Sequence, residues 1–362
     1  MLKRLTGKLH LILGLGSGLV VFIVAFTGAI FCWEEEVRDV QYSDLYYVTP
    51  GSSPSATIDE LLVVAKESHA GKVRFIRTLP GNTRSVEFGF KDKEAVFVDP
   101  GTKQVLGSYN HDGDFFGIVE QIHRRLMLGD VGKTITGISC LIFGFMLLSG
   151  IYLWWPRSRS IRRQRFRIAM KAPRARKIFD LHSVLGFYAS WILLFTVATG
   201  LVWSFKWFEG GMYALVGSEK KNQKISSEIF PRDSLFTLNA LLVHVQKKEP
   251  EAEEFFVSLA DADDSTGVVR INAYLPQRGF FKEQNQYYFN QYTGELVHTS
   301  LFEEWSAGEK MKSSNFDIHT GRKFGLPGKL IMFFAALIAA SLPVTGFLYW
   351  RARVKASKSI PR

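Results

Sequence analysis

Four histidines recur at matched positions in two halves of the chain, and their spacing suggests paired metal ligands. His123 and His319 are each followed by Gly, Gly and Lys at +6, +9 and +10, and by another Gly at +27. His10 and His182 are each followed by Gly at +4 and by Thr-Gly at +17 and +18. Neutral imidazole is a common metal ligand, so the repetition favours ligation over scattered polar residues.

Each of these histidines precedes an apolar stretch that could cross a bilayer. Such a crossing needs about 20 apolar residues for a core of ~30 Å. The candidate spans cover roughly 11–33, 134–155, 184–205 and 329–350. The first is too long for a signal peptide and lacks a small-residue cleavage site, so we interpret it as a retained anchor.

The distribution of charge predicts the orientation of these spans. The segment 157–177 carries ten Lys or Arg and no acid, and the two ends of the chain bring the cationic total to eighteen. By the positive-inside rule these segments are cytoplasmic. The loops 32–122 and 206–318 carry an excess of Asp and Glu and are expected outside. The net charge of +11 then reflects topology, and contact with anionic lipid explains the basic loop better than nucleic acid does.

Both long loops have the pattern of a small folded α+β module. In the first, 58–68 is a predicted amphipathic helix, followed by alternating strands and a turn at 99–102. In the second, 238–247 is a predicted helix, again followed by strands and a turn at 290–294. Span, outer loop, span and inner segment therefore occur twice in the same orientation, which predicts a tandem duplication.

The chain resembles membrane proteins with PepSY-type outer modules and PepSY-associated transmembrane helices. The resemblance rests on the residues before each span and on the turns of the two modules. They are Lys8-Leu-His10, Ile122-His123-Arg124, Asp180-Leu-His182, Ile318-His319, Asp99-Pro-Gly-Thr102 and Tyr292-Thr-Gly294. The family includes inner-membrane reductases of ferric siderophores that carry b-type haem. The resemblance implies a bacterial inner-membrane protein with both termini in the cytoplasm and both large loops in the periplasm.

The predicted fold is a membrane all-α four-helix bundle, duplicated as two helices each, with two small periplasmic α+β PepSY-like modules. The predicted order is transmembrane helix 1 (1–33), module 1 (34–117), transmembrane helix 2 with a periplasmic extension (118–156) and a basic cytoplasmic loop (157–177). It continues with transmembrane helix 3 (178–206), module 2 (207–314), transmembrane helix 4 (315–352) and a cytoplasmic tail (353–362).

With this topology, the histidines predict two bis-imidazole haem b sites, one near each membrane face. His10 and His182 would be the axial ligands on the inner side, and His123 and His319 those on the outer side. Gly14 and Gly186 follow the inner ligands by one helical turn on the same helix face. Their missing Cβ atoms are expected to open a slot for the porphyrin.

Haem propionates are anionic and need cationic partners. Candidates beside the outer ligands are Arg124, Arg125, Lys133, Arg322, Lys323 and Lys329, with Lys8 on the inner side. The alternative is that these are ordinary interfacial Lys and Arg. The remaining histidines, His69, His111, His244 and His298, lack matched spacing and are interpreted as surface or locally hydrogen-bonded residues.

The favoured function is ferric-siderophore reduction by a dihaem cytochrome. Electrons would pass from a cytoplasmic or membrane donor to a ferric siderophore, or another ferric chelate, in the periplasm. The stretch Phe302 to Trp305 is the predicted substrate rim, with packing as the alternative for Trp305. The competing hypothesis is a non-enzymatic membrane protein whose outer modules bind peptides or restrain a protease. No nucleotide-binding, zinc-protease or nucleophilic-serine motif is found, and nucleic acid is not an expected partner.

Overall fold

Within the described residues, four helices are long and apolar enough to cross a membrane. We name them spans 1 to 4. They are Leu2–Phe31, Gly129–Trp154, Arg174–Ser204 and Arg322–Ser357. Each is longer than the roughly 20 residues that a bilayer core requires. The helices also continue beyond the apolar stretches predicted from the sequence, because Lys and Arg are good helix formers and can reach the polar interface.

This computed structural model describes residues 1–48, 56–81, 83–156, 158, 164–220, 225–228, 236–261 and 264–358. Parts of the predicted basic loop 157–177 and of the predicted tail 353–362 lie outside these residues. The chain divides into two units. The helical unit comprises Met1–Glu34, Phe115–Met212 and Asn315–Arg362, and the sheet unit comprises Glu35–Asp114 and Tyr213–Ser314.

Twelve α-helices are described, and we number them in chain order. They are α1 (Leu2–Phe31), α2 (Glu34–Gln41), α3 (Ser43–Tyr46), α4 (Ile58–Ser68), α5 (Phe115–Arg125), α6 (Gly129–Trp154), α7 (Arg174–Asp180), α8 (Gly186–Ser204), α9 (Lys206–Leu215), α10 (Leu238–Lys248), α11 (Ala307–Thr320) and α12 (Gly325–Lys358). A π-helical turn, Leu181–Leu185, joins α7 to α8 within span 3.

The four spans pack around a core of aliphatic and small side chains. Leu147 of span 2 lies against Leu193 and Val197 of span 3, together with Ala335 and Ala339 of span 4. Lipid tails are as apolar as these side chains, so close packing through small residues is what holds such helices together.

A single eight-stranded antiparallel sheet forms the centre of the sheet unit. Its strands are β1 (Val73–Thr78), β2 (Val86–Phe90), β3 (Glu94–Val98), β4 (Val105–Asn110), β5 (Glu254–Ser258), β6 (Val268–Tyr274), β7 (Gln284–Asn290) and β8 (Leu296–Ser300). Their order is β4-β3-β2-β1-β5-β6-β7-β8. The sequence predicted two modules, each a helix followed by strands. β1 pairs with β5 and joins the strands of the two predicted modules edge to edge in one sheet.

One face of this sheet is covered by α4 and α10. Ile76, Phe88, Phe255 and Ile271 project from that face and are almost fully buried with the apolar sides of the two helices. The two helices also cap each other. The Asp59 carboxylate accepts hydrogen bonds from the backbone N–H groups of Leu238 and Asn239, at 3.0 and 2.9 Å. A carboxylate satisfies unpaired N–H groups at a helix N-terminus, so the cap ties the two halves of the sheet unit together.

Candidate functional site

The structure brings the four repeated histidines together in two pairs, each pair joining two different helices. His10 of span 1 faces His182 in the π-helical turn of span 3, with ring centres 6.4 Å apart and ring planes at 89°. π-helical turns are rare and occur often at functional sites. We call this the first pair.

The second pair consists of His123 and His319. Their ring centres are 6.2 Å apart, and their planes form an angle of 68°. His123 lies near the end of α5 and His319 near the end of α11. The prediction had each of these histidines on a continuous extension of a span. Instead, each occupies a separate helix that ends just before the span begins.

The spacing within each pair suits two imidazoles bound to one metal from opposite sides. Metal–imidazole nitrogen bonds are about 2.0 Å long, so two of them plus the distances from nitrogen to ring centre add to roughly 6 Å. Ring planes can turn freely about such an axis, so perpendicular rings are compatible with shared ligation. Among the described residues there is no group of three or more His, Cys, Asp or Glu that could hold a metal. The pairs therefore suit a metal whose other ligands come with it, as in haem.

In the first pair, hydrogen bonds determine which ring nitrogen is left for a metal. His10 Nδ1 lies 2.8 Å from Ser149 Oγ, and that hydroxyl already donates its hydrogen to the Met146 carbonyl. His182 Nδ1 lies 3.1 Å from the Leu342 carbonyl oxygen and 3.0 Å from a threonine hydroxyl, that of Thr345. With these oxygens accepting, the arrangement favours the tautomer that carries hydrogen on Nδ1 in both rings and leaves the lone pair of Nε2 for a metal.

The second pair is held in the same way. His123 Nδ1 donates to the Val24 carbonyl at 2.8 Å, with the Thr27 hydroxyl at 3.4 Å. His319 Nδ1 lies 2.8 Å from the Thr199 hydroxyl, whose one hydrogen can be donated to a carbonyl oxygen of its own helix, with those of Phe195 and Thr196 both 2.9 Å away. Outer-sphere hydrogen bonds of this kind orient a ligating imidazole and raise its basicity.

Every one of the four rings also lies against a glycine on a neighbouring span. A Cβ on Gly28 would come within 3.0 Å of His123 Cε1, and one on Gly346 within 3.1 Å of His182 Cε1. A Cβ on Gly150 would lie 3.5 Å from His10 Cε1, and one on Gly200 would lie 3.6 Å from His319 Cε1. The residue before each of these glycines is the Ser or Thr nearest to that ring's Nδ1, so a Ser/Thr-Gly dipeptide holds each histidine. The sequence contained this signal, but which histidine each dipeptide contacts depends on helix packing.

Two sharp backbone turns, one after each histidine, position the second pair at the start of spans 2 and 4. After His123, Leu126 and Met127 both adopt positive φ, at 50° and 58°. A Cβ on Gly132 would collide with the carbonyl oxygen of Arg125. The positive φ of Leu126 and Met127 is strained for residues other than glycine and persists only where the surrounding structure enforces it.

The backbone turn after His319 contains Gly321 and Gly325, which have φ of 78° and 59°. A Cβ on Gly328 would collide with the Gly321 carbonyl oxygen. The repeated glycines at +6 and +9 after each histidine are therefore explained by the close turn of the backbone that sets each imidazole over the bundle.

A cavity of about 580 Å³ adjoins the first pair. It lies between the spans and has a mainly apolar lining, as organic cofactor sites do. His10 and His182 line it together with two cations, Arg165 and Arg353, that the sequence reasoning missed. The predicted inner cation Lys8 is exposed and is not part of the lining.

Gly14 and Gly186 both line this cavity, but they do not leave the open slot that was predicted. A Cβ on Gly14 would lie 2.8 Å from Met146 Cε, and one on Gly186 would lie 3.3 Å from Leu342 Cδ2. Their missing side chains make room for Met146 and Leu342. The glycines that contact the first pair of rings are Gly150 and Gly346 instead.

The predicted cations beside the second pair differ between the two halves. Arg124, Arg125 and Lys133 are exposed. Arg124 forms an ion pair with Glu120, and Arg125 lies 3.8 Å from Asp130. In the other half, the Arg322 guanidinium lies 2.6 Å from the Glu34 carboxylate, and Lys323 and Lys329 are buried. This second group is therefore more enclosed by the protein than the exposed group is.

Phe302 and Trp305, the predicted substrate rim, lie in the sheet unit. Their rings are 5.6 Å apart, and Trp305 Nε1 donates to Ser300 Oγ at 2.8 Å. Lys310 Nζ lies 4.9 Å from the centre of the Phe302 ring. These local contacts favour the packing role that was the alternative for Trp305.

Burial keeps the second pair of histidines neutral near pH 7. It lowers the pKa of His319 to about 3, with a further lowering from His123, and it lowers the pKa of His123 below the ordinary value. Desolvation penalises the charged form of an imidazole. Both rings therefore have the protonation state that a metal ligand requires.

In comparison with protein families, residues 8–353 match the PepSY-associated TM region. The chain belongs to this family. The match covers nearly all of the sequence and includes the positions of the four paired histidines. No curated protein matches the chain.

Proposed function

We propose that this protein is a transmembrane electron carrier that holds two b-type haems and reduces a ferric siderophore in the periplasm. The observation that carries the proposal is the pairing of the histidines. Both pairs have a separation suited to one metal, and all four rings have Nδ1 hydrogen-bonded and Nε2 left over. Bound haem would supply reversible one-electron chemistry at its iron.

The chain's own residues would set the binding and the spacing. His10 and His182 would hold one haem, with Arg165 and Arg353 placed to meet its acidic groups. His123 and His319 would hold the other, with Lys323, Lys329 and Arg322 as its candidate cations. Span 1 contacts both sites, at His10 and at Gly28. Eighteen residues separate those positions, which corresponds to about 27 Å along a helix that rises 1.5 Å per residue.

The charge pattern and the duplicated plan support the proposed orientation of the two haem sites in the membrane. The basic segments would be cytoplasmic, which places the first pair at the inner face and the second pair at the outer face of a bacterial inner membrane. The two halves would be a tandem duplication, and the sheet unit would be two PepSY-like modules joined in the periplasm. A reductant on the cytoplasmic side would supply the electrons.

The substrate class follows from the resemblance of the chain to siderophore reductases. Siderophores bind Fe(III) far more tightly than Fe(II), so adding one electron releases the iron. The sheet unit would provide the docking surface. The competing function, a peptide-binding or protease-restraining protein anchored by its spans, leaves the two histidine pairs without a role.

A spectrum and an activity assay together test the proposal. Purified protein is expected to show reduced b-type bands. In vesicles with a reductant enclosed, it should reduce a ferric siderophore added outside. His319→Ala should abolish this reduction, while His69→Gln should preserve it, because His69 lies in the sheet unit beside the Asp92 carboxylate, at 2.8 Å, and belongs to neither histidine pair. A colourless preparation, or full activity in His319→Ala, would contradict the proposal and favour the non-enzymatic alternative.

A further inference from the structure

The face of the sheet that α4 and α10 leave uncovered is rich in polar side chains. Successive residues of a strand point to opposite faces. On β6, Val269, Ile271 and Ala273 are buried with the helices, so Arg270 and Asn272 project from the opposite face. Direct pairing places Gln286 of β7 beside Asn272, and Gln284 of β7 beside Tyr274.

Three buried polar atoms on this face have no hydrogen-bond partner within the part of the chain that is described. They are Arg270 Nε, Asn272 Oδ1 and Gln284 Oε1. Asn272 is itself only 6% exposed. Burying a polar atom without a partner is costly, and native proteins rarely tolerate it. Three such atoms on two adjacent strands of one face indicate a ligand that supplies the missing partners.

The charges of this face balance overall, with Arg77 and Arg270 against Glu87 and Glu254, so the kind of ligand is indicated by Arg270 alone. Arg77 is neutralised by Glu254 at 2.7 Å and lies 3.9 Å from Glu87. Arg270 donates to Ser258 Oγ at 3.3 Å, and among the described residues no carboxylate lies within ion-pairing distance of it. One guanidinium is therefore uncompensated, and guanidinium is the side chain best suited to bind oxyanions.

The amides of Asn272 and Gln284 can complete an oxyanion site. An amide offers both a carbonyl oxygen and an NH₂ group, and which of the two faces the ligand is settled by the ligand itself. Turned outward, each NH₂ group would donate to a ligand oxygen. The neighbouring Phe75 and Phe256 rings are stacked 4.8 Å apart and provide an apolar floor for the organic part of such a molecule.

We propose that this face, centred on Arg270, Asn272 and Gln284, binds an anionic, oxygen-rich chelate in preference to a neutral one. The inference rests on the proposed function, because the chelate would be the ferric substrate. It goes further by naming the site and the charge of the substrate. Carboxylate and catecholate chelates of iron belong to the preferred class, and uncharged hydroxamate complexes do not.

Binding can be measured apart from electron transfer with gallium(III), which cannot be reduced under these conditions. Calorimetry on the full-length protein in lipid nanodiscs would compare a trianionic gallium tricatecholate with an uncharged gallium trihydroxamate. The wild type should bind the tricatecholate more tightly. Arg270→Gln should weaken that binding by about tenfold or more, as expected when a charged hydrogen bond is lost. Arg270→Lys, which keeps the charge without Nε, should lie between the two.

Arg74→Gln is the matched control. Arg74 is an exposed arginine of β1, and because it is adjacent in the strand to Phe75 it points to the opposite face of the sheet. It should leave the tricatecholate affinity unchanged. Asn272→Asp, which adds a repelling charge without changing size, should weaken binding even if Arg270→Gln folds poorly. Equal affinity for the two gallium complexes would overturn the inference, and so would an unchanged affinity in Arg270→Gln and Asn272→Asp or equal losses in Arg270→Gln and Arg74→Gln.

The same assay separates this inference from the proposed function. Tricatecholate binding should survive in His319→Ala, where reduction of the ferric complex is lost. Binding that depends on Arg270 in a wild-type protein without haem would remove the reductase proposal and leave the site standing. If siderophore reduction is unchanged by substitutions at Arg270 and Asn272, the binding site is overturned and the reductase proposal stands.

Discussion

The Nδ1 atom of His10 lies 2.8 Å from the hydroxyl oxygen of Ser149 on the neighbouring span. When that hydroxyl donates to the Met146 carbonyl, 3.1 Å away, it accepts from His10, which favours the tautomer with hydrogen on Nδ1. The same arrangement recurs at His319 with Thr199. A hydroxyl placed in this way acts through the imidazole and is a positioning group rather than a ligand.

Replacing Ser149 with Ala should therefore loosen His10 without removing it. The expected result is a lower affinity for the haem of the first pair, by 10–100-fold as is typical when a partner of a metal ligand is lost, and a shifted reduction potential. Ser190→Ala is the control, because Ser190 lines the same cavity but its hydroxyl bonds to its own helix, at Gly186. Identical redox titrations for Ser149→Ala and wild type would contradict this role.

A glycine-to-valine exchange on span 1 should disturb only the second pair. A Cβ on Gly28 would lie 3.0 Å from His123 Cε1, whereas one on Gly16 would meet nothing within 4 Å. Gly28→Val should displace His123 and remove about half of the haem, while Gly16→Val should keep all of it. The measurement is the haem-to-protein ratio with the redox titration of what remains. Equal ratios in the two variants would show that Gly28 does not define the site.

The pairing of the histidines and the spans around them were predictable from the sequence. The residues that contact each ring were not. Histidine offsets and span direction were sufficient to match His10 with His182 and His123 with His319. The contacts of Gly14 with Met146, and of Gly150 with His10, depend on how the helices rotate against each other. No single helix carries that information, so the sequence did not predict that Gly150 and Gly346 would contact the rings.

The sheet unit shows a similar division. Turn residues and alternation predicted the helix Ile58–Ser68 and all eight strands within a few residues, because these are local signals. Pairing of β1 with β5 joins segments about 180 residues apart, as in Ile76 opposite Val257. Nothing local in either strand indicates which edge it meets, so the sequence did not predict that the strands of the two modules would join in one sheet.

The cap at Asp59 should couple the two halves of that sheet unit. Its carboxylate accepts from the N–H groups of Leu238 and Asn239, so Asp59→Ala should destabilise α10 by about 1 kcal/mol, as is usual for a lost helix cap. Hydrogen exchange of the amides in 238–248 should become faster. Asp44→Ala, in an exposed position, should leave these amides unaffected. Unchanged protection in Asp59→Ala would mean that the cap contributes nothing.

Acid should weaken the start of α4 through Glu60. Hydrogen bonds from Lys103 and from the Thr57 backbone lower the pKa of Glu60 from 4.5 to about 2. The depressed pKa means that the stabilisation is present above pH 4.5 and is lost as the pH falls towards 2. In Glu60→Gln, amide exchange at 58–61, corrected for its intrinsic pH dependence, should lose this acid sensitivity. An equal dependence in wild type and variant would contradict the predicted linkage.

The central claim is that each metal is shared by two histidines from different halves of the chain, and paired substitutions test it most directly. The haem-to-protein ratio should be two in the wild type and one in His10→Ala. It should remain at one when His182→Ala is added, because both changes affect the same site. Combining His10→Ala with His123→Ala should instead reduce it to zero. If His10→Ala with His182→Ala loses both haems, or if the wild type binds none, the pairing described here is not the pairing of ligands.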